Sequence, residues 1–234
     1  SGKGAAGFDL VGMAGGKLMS VLGPAALGAS LMSAASWLGD AAEKTLQYET
    51  ALRNLPFGIE AAQVATHGLV GTQALAVSAS QAVALGVVKT QGEFNQLASD
   101  ASKIALKLGV SSEQMLGDLT TALGRGSAMI LDNAGIILKV SDANEAYAKA
   151  IGKTVSELNE QEKKTAFQLA AMKAIRESAD ATTVAYDGQA AAISRARVSF
   201  GNFTDAIERA ASNAAGSILV AAEAATDSLV SYGE

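Results

Sequence analysis

The chain has 234 residues and a formal net charge of −5, with 49% hydrophobic residues, 5% aromatics, two prolines, one histidine and no cysteine. The missing cysteines exclude a disulfide framework, a thiol nucleophile, an iron–sulfur cluster and Cys-ligated zinc; the single histidine excludes a poly-His metal site. The acidic balance offers no basic footprint for sequence-specific nucleic-acid binding. Alanine fills 49 positions, which leaves little more than a quarter of the chain for larger apolar residues. Such a composition favours helices over a sandwich or barrel, so the expected fold is all-α with a core of small side chains.

Charge divides the chain into three stretches, 1–88, 89–188 and 189–234, with nine, twenty-four and eight charged side chains. The Ser1 start is that expected of a fragment or processed chain, and Lys3, Asp9 and Lys17 do not fit a signal peptide. Within 1–88 the runs 18–39 and 61–88 are uncharged, and both exceed the roughly 20 residues a helix needs to span a bilayer. They are expected to be Ala/Gly-rich helices, or a helical hairpin joined by the charged residues between. Small residues at Gly12, Gly16, Ala25 and Ala29 would let helices approach closely, in a membrane or in a packed assembly.

The 89–188 stretch predicts a compact multi-helix unit. Phe94, Leu97, Ala101, Ile104 and Leu108 follow 3-4 spacing, and Gly109 sits where a left-handed cap belongs. Ser111 and Gln114 form a capping box, with Val110 placed to staple onto Met115, for a helix ending near Gly124. A short helix starts at Ser141–Asp142 and closes at Gly152. Thr154 and Glu157 form a second box for a helix to about Ala179, its face carrying Phe167, Ala171, Ala174 and Ser178. In 189–234 one long helix is expected. Ile193, Ala196, Phe200, Phe203, Ile207, Ala210 and Ala214 keep a short heptad repeat, as a coiled coil or as one helix of an intramolecular bundle.

Chemistry is sparse. Gly2-x-Gly4-x-x-Gly7 lacks the preceding strand of a dinucleotide fold, and Gly152-Lys153-Thr154 has Tyr147 where a phosphate loop needs glycine. His67 has no acidic residue closer than Glu60 and is expected to be a packing residue of an apolar helix. Glu160 and Lys164 are placed as an exposed i,i+4 pair. Catalytic, cofactor-binding and metal-ligating residues are therefore expected to be none, and the protein is not expected to be an enzyme. Between Gly124 and Ile136 glycines flank a short apolar segment, with Arg125 and Asp132 placed to pair or cap across the break.

One ordered set of residues runs through this region. Arg125, Ser127, Ile130, Leu131, Asp132, Gly135 and Ile136 are followed by Asn144, Tyr147, Ala148, Gly152 and Lys153, then Leu158, then Glu162, Lys163, Lys164, Ala166 and Phe167. In order and spacing this block resembles the tape-measure proteins of long-tailed bacteriophages; the likeness extends over about 93–215. The resemblance implies a structural role: a fragment of a helical protein in the tail lumen that sets tail length and assists DNA ejection through the host envelope. It implies the tail tube and tail-tip proteins, other copies of the chain and a host membrane as partners, and the virion as location. No cofactor comes with it. A membrane-active effector or pore-forming domain is the alternative, sharing the uncharged runs but not the block. Within the block, Ile130, Leu131, Ile136, Ile137 and Phe167 are the expected core.

Overall fold

A computed structural model describes residues 36–183 and 185–231, with side chains described through 216. The described residues are all-helical: α1 over 36–53, then α2 (Glu60–Ala65), α3 (Thr72–Ala84), α4 (Gln91–Leu108), α5 (Ser112–Arg125), α6 (Ala128–Asn133), α7 (Val140–Ala150), a 3-10 turn at Val155–Glu157, α8 (Glu160–Asp180) and α9 (Gln189–Ser231). The chain divides into two units, one of residues 46–206 and one of residues 1–45 with 207–234. Gly12, Gly16, Ala25 and Ala29, with the 18–35 part of the first uncharged run, lie outside the described residues.

The larger unit is organised around α4, which packs most extensively on α5 and then on α2 and α8. Its capping box is complete. Thr90 Oγ1 accepts from the Glu93 N–H, and the Glu93 carboxylate accepts from the N–H groups of Thr90 and Lys89 at 3.1 and 2.7 Å. Phe94, Leu97, Ala101 and Ile104 are buried as their spacing predicts, and Gly109 ends the helix with φ 72°. Leu116, Leu119 and Leu123 of α5, Leu131 of α6, and Phe167 and Ile175 of α8 complete the core. Fully buried alanines fill the rest, among them Ala76 and Ala79 of α3, Ala98 and Ala105 of α4 and Ala171 of α8. Such a core draws on close helix approach rather than on bulk.

Several sequence expectations are corrected. The run 61–88 is not one helix: α2 ends at Ala65, and the chain turns through His67 and Gly68 at φ 52° and 70° before α3 begins. Consecutive left-handed residues cannot continue a right-handed helix. No helix among the described residues is long and apolar enough to cross a membrane. His67 is thus a turn residue, not part of an apolar helix. α5 does end near Gly124 as expected, at Arg125, and Gly126 at φ 69° supplies the cap. Gly124 itself is buried against Leu85, whose side chain leaves no room for an added Cβ. Val110 is exposed while Met115 is buried.

The box at Thr154 closes only the 3-10 turn, Glu157 accepting from the Thr154 N–H at 2.7 Å. The box that opens α8 is the next one, Asn159 with Glu162, at 2.8 and 2.9 Å. Glu160 pairs with Lys163 rather than Lys164, whose ammonium donates to the Leu85 carbonyl. α9 is present, but its heptad row does not face the core. Phe200 and Phe203 are 72% and 63% exposed, and Ile193 and Ile207 are 49% and 46% exposed. In the smaller unit, Glu208 is buried and receives Lys44 at 3.0 Å.

Candidate functional site

The block that carried the sequence resemblance folds as a relay of short elements. Arg125 closes α5, Ser127 precedes α6 in extended backbone, and Gly135 at φ 71° lets the chain leave α6 after one and a half turns. Without a Cβ, glycine takes this conformation at little cost. Leu131 and Ile136 are buried and Ile130 packs partly against the same core. Ile137 does not belong to it: it is 84% exposed. Arg125 and Asp132 are both exposed, and no ion pair or hydrogen bond joins them among the described residues. Once Gly126 and Gly135 supply the turns, no pairing is needed to form the break.

Further along, Ala148 of α7 is buried, Tyr147 is half-buried beside it, and Gly152 at φ 70° ends the segment. Lys153 then reaches forward to Glu162 at 2.5 Å. Glu162 therefore serves twice, as partner of Lys153 and as reciprocal cap of Asn159, and both contacts hold its carboxyl below the usual carboxylate range, the Lys153 bond more strongly. Phe167 anchors the far end at 3% exposure. Its ring edge lies 4.0 Å from where a Gly126 side chain would begin, so the first and last motif elements meet. Gly135 and Gly152 form turns, Glu162 is a cap, and Leu131, Ile136, Ala148, Leu158, Ala166 and Phe167 are buried.

A second cluster was not read from the sequence. Asp100 on α4 is only 2% exposed; it accepts from Gln96 Nε2 at 2.8 Å and faces Arg176 of α8 at 3.9 Å. One turn along, Lys103 meets Asp180 at 3.6 Å. Burial pushes the Asp100 carboxyl up, against the opposing pull of Gln96, Lys103 and Arg176. Nearby, Tyr186 stacks on His67 with ring centroids 3.9 Å apart, and its carbonyl accepts from Arg195 at 2.6 Å. The Tyr186 hydroxyl is buried without a hydrogen-bond partner, and burial together with the Asp100 charge raises its pKa. These contacts tie α8 to α4, and the α8–α9 connection to the turn after α2 and to α9. Asp100 could have been found: it stands three residues after Leu97 and four before Ile104, on the edge of the apolar face.

A third polar junction lies at the start of α3, which has no capping side chain of its own. The Gly71 N–H donates to Glu113 of α5 at 2.9 Å, and the Thr72 N–H donates to Asn202 of α9 at 3.0 Å. No group of His, Asp and Glu side chains among the described residues is placed to hold a metal ion. Comparison with protein families, with curated proteins and with solved structures gives no match.

Proposed function

We propose that this chain is a structural segment of a phage tail tape-measure protein, one that spaces the tail rather than catalysing a reaction. The observation that carries the reading is the ordered block from Arg125 to Phe167. Its folded form supports it in one respect: Gly135 and Gly152 form turns, Leu131 and Phe167 form core, and Lys153 and Glu162 close a cap. These are the roles a structural motif requires, and they account for residue types that would otherwise be unexplained. In this reading the partners are the tail tube and tail-tip proteins, and no cofactor is involved. The alternative of a pore-forming domain has no specific support from the described residues, whose second uncharged run is divided between two short helices.

A ruler is tested by its length. In-frame removal of α9, 43 residues, from the gene that encodes this sequence should shorten the tail by about 65 Å at 1.5 Å per helical residue. Tails of unchanged length in electron micrographs, with the shortened protein present in the virion by mass spectrometry, would overturn the proposal.

A further inference from the structure

α9 is amphipathic in the reverse sense to a helix packed by its apolar face. Ile193, Phe200, Phe203 and Ile207 point outward, and exposed Ala196 and Ala210 continue the same row. The row that turns inward includes Arg195, Val198 and Asn202. Polar bonds hold it there, from Arg195 to the Tyr186 carbonyl and from the Thr72 N–H to Asn202. Rotating α9 to bury its apolar row would strip both groups of their partners, at the cost of unpaired polar atoms. The apolar row is therefore directed away from the groups to which those two bonds tie α9.

We infer that this row is the interface of a two-fold, antiparallel pair of α9 helices from two copies of the chain. The 3-4 spacing selects another helix as the occupant. In an antiparallel pair a two-fold axis midway between Phe200 and Phe203 sets Ile193 against Ala210 of the second copy, Ala196 against Ile207, and Phe200 against Phe203. Each outer layer then holds one large and one small side chain, and the centre holds the aromatic pairs. That is the constant-volume arrangement that close packing fills. A parallel pair would stack Ile on Ile and Ala on Ala, leaving wide and narrow layers in alternation.

Charge agrees with the geometry. Beside the row, Ala192, Arg197, Ser199, Thr204 and Ala206 include one charge, and the same axis brings Arg197 near Thr204 of the second copy rather than near another Arg197. A Phe side chain buries roughly 150–250 Å², so Phe200 and Phe203 of two copies bring about 500 Å² of exposed surface to the pair. With the isoleucines and alanines the total reaches on the order of 1,000 Å², enough for a specific but modest association, in the micromolar range. This inference stands on α9 and does not rest on the tail reading.

The test is sedimentation velocity of the whole chain from roughly one to a few hundred micromolar, the range a small interface demands. A monomer–dimer equilibrium is expected, and Phe203→Glu should weaken it roughly 100-fold by burying an unpaired carboxylate. Helix content by circular dichroism should stay unchanged, because Phe203 is exposed in the single chain. Orientation is read from introduced cysteines, which the chain otherwise lacks. Ala196→Cys mixed with Ile207→Cys should oxidise to a linked pair. Ala196→Cys alone should not, since its two copies stand eleven residues, about 16 Å, apart along the pair, well beyond the reach of roughly 7 Å for a disulfide. A chain that stays monomeric throughout would overturn the inference, as would a dimer indifferent to Phe203→Glu or a 196–196 link. So would dimerisation that appears only once residues 1–35 are removed, since that segment would then be the native occupant.

Discussion

Phe167 joins the two ends of the motif block, at 3% exposure and with its ring edge over Gly126. Truncating a buried Phe to Ala costs about 3–5 kcal/mol through lost transfer energy and an unfilled cavity. Phe167→Ala should therefore lower the thermal midpoint by many degrees. Glu160→Ala, removing a side chain 90% exposed in its ion pair with Lys163, should leave it within experimental error; equal effects would remove Phe167 from the core. Asp100 makes the sharper prediction. Its carboxyl is pushed up by burial, so the folded state binds that proton more readily than the unfolded state does. Its contribution to stability is complete below the unfolded value and is lost as pH rises through the folded one. Glu93, Glu157 and Glu162 run the other way. Their carboxyls are lowered, first by the Lys89 N–H, the Thr154 N–H and the Lys153 ammonium respectively, and their stabilisation is lost as pH falls through the folded values. Asp100→Asn keeps an acceptor for Gln96 and removes the buried charge. Thermal melts should show it at least as stable as the parent at pH 7, the difference closing toward acid; a less stable variant at pH 7 would contradict the assignment.

At the scale of the elements, local signals were legible and shared ones were not. The α4 face from Phe94 to Ile104 with its Gly109 stop, the Ser111 cap and the Gly152 break all follow from residues within one turn of each other. Where adjacent signals compete, tertiary packing decides. The end expected near Gly124 falls one residue on: Leu85 lies on Gly124, and Gly126 takes the cap. Thr154 and Asn159 both open boxes, and only the second leads into a helix. The start of α3 was illegible because its caps come from Glu113 and Asn202, 42 and 130 residues away. The α9 row was legible as a face, but whether it meets a second chain or the rest of this one was not, since periodicity identifies a face without saying what it meets. From the α3 junction follows a prediction about coupling. Asn202→Ala should cost about 1 kcal/mol, the usual loss at a helix N-terminus, and should speed amide exchange at Thr72 while leaving amides in the middle of α4 protected. Unchanged exchange at Thr72 would mean that α9 does not cap α3.

Across the whole molecule, the uneven charge distribution was legible from the start, while its link to a membrane depends on which uncharged runs form continuous helices. The run 61–88 does not: the turn at His67 and Gly68 leaves α3, 13 residues and about 20 Å long, as its longer piece. That falls short of the roughly 30 Å hydrocarbon core. The proposal of a membrane role therefore falls on residues 1–35, with Gly12, Gly16, Ala25 and Ala29. The expected outcome with anionic liposomes is dye release by the whole chain and none by a chain beginning at residue 36. Ala29→Arg in the whole chain should reduce release, because an arginine near the middle of a span costs about 2.5–3.5 kcal/mol on insertion scales. Release by the shortened chain equal to that of the whole would mean that α2 and α3 merge into one span on contact with lipid, against the geometry of their turn. Release unaffected by Ala29→Arg would place the activity away from that run, and no release from any chain would leave a structural spacer whose uncharged segments serve only to pack.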